Sequence, residues 1–131
     1  MAAADVPAFA PVTEVTDEYM REMLTRSAPF SVVILERGPE HGSPGSEAIV
    51  WEHGRRNFEL RAAGLLAVVC PVPDDSDVCG VGIFTGTPDE VARLMDDDPG
   101  VRAGVFSYHV HPCRSFPGDG LPGTTIEASS R

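Results

Sequence analysis

The chain has 131 residues, 42% of them hydrophobic, and 20 acidic against 10 basic side chains, for a formal charge of −10. That is one domain by length, with enough apolar residues for a core. The charge excludes nucleic-acid binding through phosphates and docking on an anionic membrane, because both need clustered Arg and Lys; the expected partners are neutral, aromatic or cationic small molecules, or a second copy of the chain.

Residues 1–15 lack periodicity and read as a flexible arm. A helix is predicted over 16–27: Thr16 or Asp17 suits the N-cap, and Tyr19, Met20, Met23 and Leu24 form an apolar stripe. Pro29 marks the switch to the core, 28–112, whose first strand is the run from Phe30 to Leu35. Gly38, Pro39, Gly42, Pro44 and Gly45 make a loop. Helical patterning returns over 46–63, with Gly64 placed as its stop. On this helix Trp51, Phe58 and Ala62 share one face, while Ile49, His53 and Leu60 lie on the opposite one. A helix apolar on two sides is expected to be covered on both.

Residues 65–72 read as a continuous apolar strand, 73–77 as a turn, and 78–85 as the returning strand. Gly80, Gly82 and Gly86 keep that strand open to close approach of a backbone or ligand. Thr87, Pro88, Asp89 and Glu90 open a second core helix running to about Asp96. A last strand is predicted over 104–111, and 113–131 read as a flexible tail. The order strand–helix–strand–strand–helix–strand predicts an α+β, ferredoxin-like βαββαβ fold: an antiparallel sheet with both helices on one face and an extra N-terminal helix. The other face is left bare, so a homodimer is expected. The first eleven residues lack the charged and apolar regions of a signal peptide, and no stretch approaches the ~18 apolar residues of a membrane span. Three cysteines fit free thiols in a reducing compartment, so a cytoplasmic location is expected.

His53 is the candidate for chemistry, being an imidazole midway along an apolar helix side. An imidazole can serve as a general acid or base, although a satisfied core histidine is the plain alternative. A base of this kind needs a carboxylate to orient it, and Asp98, Asp96 and Asp97 are the candidates. In the last strand, alternation sends Phe106, Tyr108 and Val110 to one face and Ser107, His109 and His111 to the other. The polar row is expected to line a cavity or dimer interface. His109, His111 and Cys113 include zinc-type ligands, but no second pair stands beside them, and no metal is expected. Cys70 and Cys79 read as small buried hydrophobes, Trp51 as core, and Arg55 and Arg56 as a solvated helix face.

Three stretches resemble the YCII-related (YciI-like) family. These are Val32-Val33-Ile34-Leu35-Glu36-Arg37-Gly38-Pro39; His53 followed eleven positions later by Gly64-Leu65-Leu66 and then Pro71; and Asp98-Pro99-Gly100-Val101-Arg102-Ala103-Gly104-Val105, closed by Val110-His111-Pro112. The resemblance implies a dimeric α/β barrel of the ferredoxin-like superfamily with a histidine and an aspartate at its site, which map to His53 and Asp98. One branch resembles dehydrochlorinases of chlorinated hydroxyquinols, and the superfamily includes isomerases, cofactor-free monooxygenases and cyclases. The chain departs from the pattern at Cys70, where the family has glycine, and in the added piece before residue 28. The expectation is a small-molecule enzyme performing elimination, isomerisation or cyclisation without a cofactor. His53 would move the proton, Asp98 would hold the ring, and Ser107, Tyr108, His109 and His111 would position the substrate. The rival is a non-catalytic ligand-binding or accessory protein.

Overall fold

A computed structural model describes residues 13–123. Its elements are α1 (Asp17–Thr25), β1 (Ala28–Arg37), α2 (Ser46–Ala62), β2 (Leu66–Pro71), β3 (Val78–Phe84), α3 (Pro88–Asp96), α4 (Pro99–Arg102) and β4 (Phe106–Ser115). The described residues divide into a core unit, Pro29–Arg114, and a unit made of the flanking segments. In the latter, Thr16 caps α1 by accepting the Tyr19 N–H at 3.1 Å, and the helix buries none of its side chains.

In the core unit the strands form a four-stranded antiparallel sheet in the order β2-β3-β1-β4. Register pairs Ser31 with Phe84, Val33 with Gly82 and Leu35 with Gly80. These positions share the helix-facing side, and Ser31, Val33, Leu35 and Phe84 are buried there. Val91 and Met95 of α3 complete the core with Leu66, Val105 and Phe106, while Ile49 and Leu60 of α2 pack against it. No helix among the described residues is long and apolar enough to cross a membrane.

The α+β class and the predicted order of core elements are present, with three differences in detail. The first is α4, a single turn that Asp98 and Pro99 start together, aspartate as N-cap and proline at the first helical position. The second is β4, which runs through Pro112 to Ser115, so residues 113–115 belong to a strand and not to a tail. β4 is an edge strand, where a proline without an N–H sacrifices no ladder bond on the open side. The third concerns α2, which is covered on one side only. Trp51 is 70% exposed and Phe58 57%, so Trp51 is not a core residue. The predicted arm and tail otherwise lie largely outside the described residues.

Candidate functional site

The three aspartates at the end of α3 have three fates. Thr87 and Glu90 start that helix with a reciprocal capping box, and Val91 and Met95 anchor it in the core. At its other end Asp96 accepts a hydrogen bond from the Tyr108 hydroxyl at 2.7 Å, and Asp97 is exposed. Asp98 is only 1% exposed. Its Oδ2 accepts the Gly100 N–H at 2.9 Å and the Val101 N–H at 3.2 Å, the bonds that cap α4. A Cβ at Gly100 would sit 2.5 Å from Phe106 Cδ2 and 3.0 Å from Asp98 Oδ2, so a glycine lets this turn close over the carboxylate.

α2 delivers His53 to the same point from its buried side. His53 Nδ1 lies 2.9 Å from Asp98 Oδ1 and 2.8 Å from Oδ2, and its ring rests 4.7 Å from the Phe106 ring. One turn further along α2, the Asn57 side-chain nitrogen is 3.3 Å from His53 Nε2. In this amide orientation that nitrogen can only donate, so Nε2 accepts and the proton of the neutral ring sits on Nδ1, donated to Asp98. Burial pushes the Asp98 carboxyl up, but the bond and charge of His53, with the Val101 and Gly100 amides, outweigh it and hold the group below its ordinary 3.8. Arg56 adds a further positive charge: its Nη1 is 3.8 Å from Asp98 Oδ1 and is buried with no hydrogen-bond partner.

Of the pair, His53 stands at the wall of a cavity of about 260 Å³ between α2 and the sheet. Val33, Leu66, Phe84 and Phe106 line it from the core, and Gly80 and Gly82 form part of its sheet wall. Among the described residues, none that lines it carries a fixed charge, and the polar ones besides two thiols are His53 and Asn57. Cys70 and Cys79 are half-buried free thiols on this wall. Burial pushes the Cys79 thiol up, which makes it a poor nucleophile at neutral pH. On α2 the row Val50–Gly54–Phe58 borders the cavity, and a Cβ at Gly54 would meet nothing within 4 Å. A glycine inside a helix costs roughly 0.5–1 kcal/mol relative to alanine.

The cavity is therefore on the helix side of the sheet and not on the side to which the polar row of β4 points. Alternation does place Ser107, His109 and His111 opposite Phe106, as expected, and all three are exposed. None of them lines the cavity, which lies under α2 with Gly54, Gly80 and Gly82 on its walls. His109 instead meets Glu36 of β1, with Nε2 and Oε1 2.8 Å apart. Among the described residues no three His, Cys, Asp or Glu side chains are grouped to hold a metal ion.

Tyr108 lies on the helix side but also stays off the cavity wall, with its hydroxyl turned to Asp96 and the Ala92 carbonyl 3.2 Å away. Burial, then the bond to Asp96 and the negative charge there, push this phenol up to about 12. A raised phenol pKa favours the fold below the ordinary value of 10, and that contribution is lost as pH rises from there toward 12. An alkaline absorbance titration should show one of the two tyrosines ionising near pH 12. Tyr108→Phe should remove that late step; if the late step survives, the Tyr108–Asp96 bond is not formed in solution.

Asn57 is the site residue that sequence reasoning passed over, and Arg56, expected on a solvated helix face, instead turns its guanidinium to Asp98 with its side chain 21% exposed. Their signal was helical spacing, since positions three and four after His53 lie beside it on α2. Compared with known proteins, the sequence matches no family model and has no significant match among curated proteins.

Proposed function

We propose that this chain is a small-molecule enzyme that transfers protons without a cofactor, built on a ferredoxin-like fold of the YCII-related kind. The observation that carries this reading is the His53 imidazole, held at Nδ1 by both oxygens of a buried carboxylate, on a residue that lines an apolar cavity. Asp98 selects the tautomer that leaves a lone pair on Nε2, and it stays charged to balance the imidazolium that forms. In the reaction an entering substrate displaces the Asn57 N–H from Nε2. The substrate's acidic proton passes to Nε2, and the electron pair left behind moves onto an adjacent carbonyl or expels a leaving group. The Asn57 N–H, once freed, donates to the oxygen on which charge develops. Return of the proton at another atom completes an isomerisation; its loss to water completes an elimination.

As the working unit we propose a homodimer in a cytoplasmic setting. Val32, Ile34, Val81 and Ile83 alternate with the helix-facing positions and form, beside the polar row of β4, an apolar part of the opposite face for a second copy to cover. A ligand-holding role without catalysis is favoured by one feature, the Asn57 bond that occupies Nε2.

The test is proton exchange in heavy water. A panel of phenols, enols and β-dicarbonyl compounds is incubated with the protein and followed by NMR for deuterium at carbon or for new products. Wild type is expected to act on at least one member and His53→Gln on none. Saturable binding without exchange or product across the panel gives the site to the ligand-holding role. Full rates in His53→Gln remove His53 from the chemistry.

A further inference from the structure

Gly54 is the residue of α2 whose presence the fold does not require. It lies inside a 17-residue helix, its φ is negative, and an added Cβ would meet nothing within 4 Å. Neither backbone strain nor tight packing accounts for a glycine there. It follows His53 directly and borders the cavity between Val50 and Phe58, the residues four before and four after it on the same row. These flanking side chains are 39% and 57% exposed, so the row runs along the boundary between cavity and solvent, with a gap at its centre. The Arg61 guanidinium stands 4.8 Å over the Phe58 ring and steadies one side of that gap.

We propose that Gly54 is the portal and size filter of the cavity, which admits a compact, neutral, largely apolar molecule presenting one hydroxyl or carbonyl to His53 and Asn57. The volume of about 260 Å³ holds on the order of ten heavy atoms, at about 30 Å³ per water-sized group. Neutrality follows from a wall whose described residues carry no fixed charge, where an ion would lose its hydration without gaining a partner. The single polar group follows from the wall's two polar side chains, His53 Nε2 as acceptor and the Asn57 amide as donor. The portal deepens the proton-transfer reading by assigning that site its ligand class, and it rests on that reading only for what happens after entry.

The experiment titrates the full chain with 2-naphthol, followed by its fluorescence, with naphthalene and 2-naphthoate as competitors. Wild type should bind 2-naphthol saturably, naphthalene several-fold more weakly, and 2-naphthoate at least tenfold more weakly. Gly54→Ala should weaken 2-naphthol binding several-fold and Gly54→Leu at least tenfold, with both variants melting no lower than wild type. Binding by folded Gly54→Leu within twofold of wild type overturns the portal. So does the absence of saturable binding to wild type, and 2-naphthoate binding as tightly as 2-naphthol overturns the ligand class. Should Gly54→Leu fail to fold, the graded loss in Gly54→Ala decides in its place: unchanged binding there overturns the portal. The two readings fail separately. Blocked entry in Gly54→Leu, with no turnover by wild type on any substrate, leaves the portal standing and removes the proton-transfer reading. Turnover lost in His53→Gln but unaltered in Gly54→Leu removes the portal alone.

Discussion

Replacing Asp98 by alanine is expected to cost the folded state about 3–5 kcal/mol, since one buried carboxylate is the acceptor for several buried donors at once. Three losses coincide at this residue. The His53 Nδ1–H, on a side chain 10% exposed, is left without an acceptor. The Gly100 and Val101 amides lose the cap of α4, worth about 1 kcal/mol. The Arg56 guanidinium loses its nearest carboxylate. Denaturant unfolding measures the total, and the melting temperature should fall by on the order of 10 °C. A cost under about 1 kcal/mol would mean that the pair does not form in solution.

The same residue sets an acid limit. Because the folded-state carboxyl titrates below 3.8, the native chain binds this proton less readily than the unfolded one. Its stabilisation is complete above the ordinary value and is lost as pH falls through the depressed one. The margin of wild type over Asp98→Ala should therefore hold from neutrality to about pH 5 and narrow below about pH 4. A margin that grows on acidification would reverse the sign assigned to Asp98.

Replacing His53 by glutamine is expected to lower turnover of the proposed reaction by on the order of 10²–10⁴-fold, the usual contribution of a positioned general base. Stability should change little, because the glutamine amide still donates to Asp98. Asp98→Asn supplies the matching arm. Its one carbonyl oxygen can serve α4, which turns its NH₂ toward His53 and forces the ring proton onto Nε2. Asp98→Asn should thus retain most of the stability that alanine loses while losing turnover to a similar degree, and the two substitutions combined should cost little more than either alone. Rates that multiply independently would show that His53 and Asp98 do not act as one unit.

Most of the core's elements were legible in the sequence because their signals are local. Thr87-Pro88-Asp89-Glu90 carries its capping box within one turn, Gly64 ends α2 at a φ of 78°, and the alternation of β4 assigns its faces correctly. His53 and Asp98 were paired by their register with the stretches that resemble a known family, and the structure brings them together across 45 positions.

Local pattern could not say on which side of the sheet space would remain. That depends on how α2 and β3 meet, since Gly54 of one and Gly80 and Gly82 of the other border the same cavity only after folding. Nor could it separate three consecutive aspartates. Asp96, Asp97 and Asp98 are alike in composition, but α4 and Phe106 bury the third of them and leave the second in water. The sequence by itself determined the α+β elements and proposed the histidine and its acid. Tertiary packing decided the depth of their burial and the side that opens to a ligand, because desolvation and unfilled volume arise only between elements.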